Sequence, residues 1–133
     1  VKALIKNGRV YSTDICVPIS NITECVNFAE EQAEKFGLRA PMVGHLGDGN
    51  FHVILPYDPA KKEMYDKIRE FNDLLIKKGL ELNGTITGEH GVGLHKKKYL
   101  LEQHADNIPV MKSIKRTLDA NNIMNPGKIF DLN

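Results

Sequence analysis

Two glycine-framed stretches constrain this chain more than anything else in it: Gly44-His45-Leu46-Gly47-Asp48-Gly49-Asn50-Phe51-His52 and Gly88-Glu89-His90-Gly91-Val92-Gly93. Glycine lets the backbone bend sharply and approach a neighbour closely, so neither stretch reads as the interior of a regular helix. Both also carry side chains that ligate metals. Together they offer His45, His52, Glu89 and His90, enough for three ligands on a divalent cation plus one free imidazole. Three protein ligands leave coordination positions open, as a catalytic centre needs and a structural one does not. In a regular strand His45 and His52, seven residues apart, point to opposite faces. Gly47 and Gly49 break that regularity, so a turn or bulge can bring both imidazoles to one side. Flanked by Gly88 and Gly91, Glu89 and His90 can share a tight turn, with Glu89 toward the metal and His90 toward a substrate. Asp48 is expected to hold its own loop through backbone hydrogen bonds, and His95 and His104 to be structural. Neither stretch matches a P-loop or a dinucleotide fingerprint.

The surrounding pattern predicts the elements that hold these stretches. Tyr11, Thr13, Ile15, Val17 and Ile19 alternate with mostly polar neighbours, the period of a half-buried strand. Ser20 or Asn21 then caps a helix, with Glu24 placed to complete a capping box with Asn21. Ile22, Val26, Ala29, Ala33 and Phe36 share one face of that helix, and Gly37 stands where a left-handed cap belongs. Pro41 to Val43 and Phe51 to Leu55 read as extended segments on either side of the first glycine stretch. Asp58-Pro59 reads as the start of a second helix, striped by Met64, Ile68, Phe71 and Leu75 and ended by Gly79. Leu80 to Thr87 reads as a short strand, Lys96 to Gln103 as a brief helix, and Pro109 to Ala120 as another, with Met111, Ile114 and Leu118 on its buried side. The order β-α-β-α-β followed by helices implies an α+β fold, a mostly antiparallel sheet with helices packed on one face. A parallel α/β arrangement is the alternative, and about three strands suggest part of a larger sheet.

Composition narrows the function classes. Eighteen basic residues against seventeen acidic ones give a net charge of +1, and no basic stripe with interleaved aromatics is present, which argues against a nucleic-acid partner. Lys96-Lys97-Lys98 reads as a solvated helix face. Cys16 and Cys25 are the only cysteines and form no CxxC pattern, as expected in a reducing compartment. No apolar run approaches the roughly 18 residues a membrane span needs. Val1 to Gly8 lacks the organisation of a signal peptide, and a start without Met hints at a chain that begins mid-protein.

The motifs Gly-His-x-Gly-Asp-Gly-Asn-x-His, Gly-Glu-His-Gly-x-Gly-x-x-Lys and, near the end, Asn-Pro-Gly-Lys (Asn125 to Lys128) resemble the C-terminal part of FAD-linked oxidases of the vanillyl-alcohol-oxidase type. That group includes D-lactate dehydrogenase, the glycolate oxidase flavin subunit and D-2-hydroxyglutarate dehydrogenase. The resemblance runs from about Asp14 to Phe130 and implies a cap, or substrate, domain over residues 1–105. Residues 106–133 would form a C-terminal helix and tail that dock on an absent FAD-binding domain. It also implies that His45, His52 and Glu89 bind a divalent metal, and two His with a carboxylate suit zinc, manganese or iron about equally well. His90 would be the base or the substrate-orienting group, Asn50 would lie near the site, and Asn125 and Lys128 would lie on the flavin side. The implied reaction oxidises a small 2-hydroxy acid with FAD, and the electron acceptor is open. The full-length enzyme would be cytoplasmic or peripheral to a membrane, and an exposed sheet edge would permit a homodimer. Ile54, two residues beyond the second His, leans toward lactate or glycolate. Without the FAD-binding domain the chain alone is expected to be inactive. A free-standing metal-dependent hydrolase and an inactive interaction module are the competing readings.

Overall fold

Residues 8–132 are described by a computed structural model. The reading of Val1 to Gly8 falls almost wholly outside them. The chain divides into two units, Val1–Glu89 and His90–Asn133.

Among the described residues of the first unit, every strand pairs antiparallel with one central strand, β4 (Asn50–Tyr57). Its partners are β1 (Arg9–Ser12), β2 (Ile15–Cys16) and β3 (Met42–His45), a sheet of four described strands with no parallel pair among them. Thr85 adds a single antiparallel bridge to Cys16. Phe51, Val53 and Leu55 alternate along β4 and are buried together with Ile15 and Val17. Helix α1 (Ile22–Phe36) packs on α2 (Lys62–Glu81), and α2 meets β2 and β4. Tyr65 of α2 stacks at 5.4 Å on Tyr57 and at 6.4 Å edge-on to Tyr11, which places the helix on the Phe51, Val53, Leu55 face. The unit is thus α+β, with an open antiparallel sheet and helices against it.

Local expectations hold unevenly. Gly37 takes φ 64°, and the bonds Leu38 N–H to Ala33 O (2.8 Å) and Gly37 N–H to Glu34 O (2.9 Å) complete a Schellman cap on α1. The capping box at its start does not form. Asn21 donates through Nδ2 to Leu82 O at 2.9 Å, and Glu24 instead accepts from Lys78 at 2.6 Å. Ala29 and Ala33 of the expected stripe are buried, joined by Cys25, while Ile22, Val26 and Phe36 are half-buried. Asp58 caps a turn rather than a helix, accepting from Ala60 N–H at 2.9 Å, and α2 begins at Lys62. Gly79 does not end α2. A Cβ there would lie 2.5 Å from Ile15 Cδ1, so Gly79 lets the helix lie close on β2. The helix stops at Asn83, with φ 59° and a second Schellman pair, Gly84 N–H to Gly79 O (2.8 Å) and Asn83 N–H to Leu80 O (3.0 Å). The strand expected over Leu80 to Thr87 is therefore helix end, turn and one bridge.

The second unit holds α3 (Lys97–His104) and α4 (Ile108–Leu118). Ile114 and Leu118, expected on the buried side of α4, are exposed, and Ile108 is the residue that helix buries. The tail is pinned through polar atoms. Asp119 accepts from the Ile123 and Met124 amides at 2.9 and 3.0 Å and from Lys115. Lys97 reaches Asp131 at 2.5 Å, and Ile129 N–H bonds Gly93 O at 2.8 Å. No helix among the described residues is long and apolar enough to cross a membrane.

Candidate metal centre

The first glycine stretch is a hairpin. His45 pairs with Asn50, and residues 46–49 close the turn. Gly49 ends it with φ 75°, and a Cβ there would stand 2.0 Å from Val17 O, so the position excludes any side chain. Directly paired residues share a face, and residues two apart on a strand do as well. His45, Asn50 and His52 therefore lie on one face of the sheet, opposite the one α2 covers. The turn does what regular strand geometry forbids at a spacing of seven.

β1 and β2 hold one register against β4, Ser12 opposite Ile54 and Ile15 opposite Phe51, and Thr13 and Asp14 interrupt the run. The interruption has a chemical purpose. Thr13 Oγ1, not a main-chain carbonyl, accepts from Val53 N–H at 2.8 Å. The Thr13 carbonyl lies 3.0 Å from His52 Nδ1. A carbonyl only accepts, so Nδ1 carries the proton, and in the neutral ring Nε2 is left with its lone pair. That lone pair faces Glu89 Oε1 at 3.0 Å.

Two acceptors at that distance need a cation or a proton between them. Ligand atoms each about 2.0–2.2 Å from one divalent ion stand roughly 3 Å or slightly more apart. An imidazole whose other nitrogen donates to a carbonyl is also the usual form of a metal-bound histidine. The donor set thus fits a divalent cation. His52 is buried at 8% exposure, whereas the Glu89 side chain is half exposed at 51%. The pair opens outward, as a site that admits a small molecule must.

Beneath this pair lies a residue the sequence reading missed. The Asp14 side chain is 1% exposed. Its Oδ1 accepts from Asn50 Nδ2 at 3.0 Å and Glu89 N–H at 3.2 Å, and its Oδ2 from Thr87 Oγ1 at 2.5 Å and Gly88 N–H at 2.9 Å. His52 Nδ1 stands 3.8 Å from Oδ1. In an alternating strand Asp14 reads as an outward polar residue. The available signal was an aspartate inside a strand run, where this residue type is depleted.

The remaining candidates are placed as follows. Asn50 is buried and also donates to Ile15 O at 2.9 Å, and its Oδ1 has no hydrogen-bond partner. His45 is exposed at the end of β3, and His90 is exposed and opens the second unit. Asn125 and Lys128 share a turn, Lys128 N–H to Asn125 O at 3.2 Å, and both line a depression of about 260 Å³ with Lys115, Met124 and Phe130. Asp48 is exposed, and its main-chain carbonyl accepts the Cys16 thiol at 3.4 Å. Burial, then the nearby Asp14 and Asp48 charges, push the Cys16 thiol above its ordinary value.

The open antiparallel sheet thus carries a His–carboxylate pair, His52 buried and Glu89 half exposed. The chain belongs to the family of FAD linked oxidases, C-terminal domain, which it matches over residues 2–129. It is 39% identical over 131 residues to a probable mitochondrial D-lactate dehydrogenase of Danio rerio, covering 98% of this chain and 26% of that protein. It is 41% identical over 129 residues to a mitochondrial D-lactate dehydrogenase (cytochrome) of Arabidopsis thaliana, covering 96% and 23%. With the glycolate oxidase subunit GlcD of Bacillus subtilis the identity is 38% over 118 residues, 88% of this chain and 25% of that one. The chain spans about a quarter of the length of these curated relatives.

Proposed function

We propose that this domain is the substrate domain of a flavin-dependent D-2-hydroxy-acid dehydrogenase of the D-lactate or glycolate type. The observation that carries the proposal is the His52–Glu89 pair, two metal-capable side chains brought to 3.0 Å from two separate glycine stretches. The similarity to D-lactate dehydrogenases and a glycolate oxidase subunit supports the reaction class.

His52 and Glu89 would hold the cation, with His45 as the third ligand on the same face of the hairpin. When bound, the cation would supply acidification of a substrate hydroxyl and the FAD a hydride acceptor. His90, adjacent to Glu89 in the chain, takes the hydroxyl proton as the α-hydrogen departs, so the 2-hydroxy acid becomes a 2-oxo acid. A neutral imidazole suits that task near neutral pH. Asn50 lies beside the site, its amide held by Asp14 and Ile15, and Asn125 and Lys128 lie toward the flavin. Ile54 shares the face of Asn50 and His52, and its apolar side chain favours a substrate without a second carboxylate.

The test is anaerobic bleaching of the flavin in the complete polypeptide. D-lactate or glycolate should reduce it, and D-2-hydroxyglutarate should do so far less well. Chelation should abolish the reduction and metal should restore it. Absence of reduction by any 2-hydroxy acid, or reduction indifferent to chelation, would contradict the proposal.

A further inference from the structure

We infer that Asp14 is the positioning residue of this site, holding Thr87, Gly88 and Glu89 against β4 and thereby setting where the Glu89 carboxylate meets His52. This rests on the metal reading above only for its affinity readout.

Thr85 bridges to Cys16, and just beyond that bridge the chain meets the Asp14 carboxylate. It takes two consecutive main-chain N–H groups, Gly88 at 2.9 Å and Glu89 at 3.2 Å, and the Thr87 hydroxyl at 2.5 Å. Oδ1 joins the two glycine stretches at one atom, since Asn50 comes from the first and Glu89 from the second. Hydrogen bonds to an ionised carboxylate are roughly twice as strong as neutral ones, and here they act in a buried setting. Gly88 is part of the same fit, because a Cβ there would lie 2.8 Å from Asp14 Oδ1. With Asp14 in place, the Gly88 and Glu89 amides are held and Glu89 reaches His52 from that backbone position. Loss of those bonds loosens residues 87–89 and with them the setting of the Glu89 carboxylate.

The test uses Asp14→Asn in the complete polypeptide. The amide matches the carboxylate in shape but replaces one acceptor oxygen with a donor. Two readouts are taken: cobalt(II) affinity with its visible absorption, and amide hydrogen exchange without metal. We expect cobalt to bind about 10–100-fold more weakly, the usual cost of losing a partner that orients a ligand, with an altered cobalt spectrum. Exchange at Gly88 and Glu89 should quicken about tenfold while α1 and α2 amides keep their rates. Unchanged exchange at Gly88 and Glu89, or equal acceleration throughout α1 and α2, would overturn the inference. Should Asp14→Asn fail to fold, Thr87→Val removes one donor and keeps the carboxylate. Faster exchange at Gly88 would then support the inference, and no change would overturn it. If wild-type protein binds no cobalt, the metal reading falls and the exchange data alone decide the role of Asp14.

Discussion

Gly88→Ala should damage this site far more than its small size suggests. The added Cβ would lie 1.8 Å from Asn50 Nδ2, 2.7 Å from Asn50 Cγ and 2.8 Å from Asp14 Oδ1. Asn50 cannot simply swing away, because it is 6% exposed and donates to both Asp14 Oδ1 and Ile15 O. Moving it forfeits two buried hydrogen bonds, one of them to a carboxylate, at about 1–2 kcal/mol each, and leaves buried groups unsatisfied. The gross loss is about 3–4 kcal/mol. Replacing glycine also restricts the unfolded chain, which returns about 0.4–1 kcal/mol. The net destabilisation of about 2–3 kcal/mol corresponds to a melting temperature lower by roughly 10 °C for a domain of this size. Gly47→Ala is the matched control, since nothing lies within 4 Å of its Cβ and it shows no positive φ. Urea denaturation of both variants beside wild type gives the comparison. Gly47→Ala should match or slightly exceed wild type, and Gly88→Ala should lose its 2–3 kcal/mol. Equal stability of the two variants would refute the claim that the Asp14–Asn50 network is packed tightly against Gly88.

Two further outcomes follow from ionisation. The Lys115 hydrogen bond, aided by the Ile123 and Met124 amides, holds the Asp119 carboxyl below its ordinary value of 3.8. A depressed folded value means the stabilisation is present above the unfolded value and disappears as pH falls through the folded one. Protection of the Ile123 and Met124 amides, corrected for intrinsic exchange, should therefore persist at the ordinary carboxylate value of 3.8 and decline as the pH falls below it. Asp119→Asn should remove the decline, and an identical pH profile in that variant would contradict the assignment. Burial pushes the Cys25 thiol up to about 11. Because the thiolate is the reactive form, iodoacetamide near pH 8 should leave Cys25 unlabelled in native protein and label it in urea; labelling at the rate of a free thiol would count against its burial.

How much of this was legible in sequence differs between levels of structure. The antiparallel α+β fold followed from the alternation at Tyr11 to Val17 and the helical stripes at Ala29, Ala33, Ile68, Phe71 and Leu75, because those patterns are set by burial alone. Element ends were less legible. Gly79 looks like a helix stop, yet its lack of a side chain serves contact with Ile15, and Asn83 supplies the left-handed residue instead. The α4 stripe at Ile114 and Leu118 is periodic, but periodicity cannot say whether the partner belongs to the same unit. At the site, the glycines marked the hairpin and the ligating side chains marked its chemistry. What sequence could not show was register. The pairing of His45 with Asn50 puts His45 and His52 on one face, and the Thr13 side chain frees a carbonyl for His52. Asp14 was invisible for the same reason, since its partners lie 36 to 75 residues away in sequence.

The most direct test of the central claim is the metal content of the complete polypeptide, measured by elemental analysis for wild type, His52→Ala and Glu89→Ala after equilibration with zinc, manganese or iron. The account predicts close to one divalent ion per wild-type chain and loss of that ion in both variants. Metal retained at the wild-type level by His52→Ala and Glu89→Ala would contradict it.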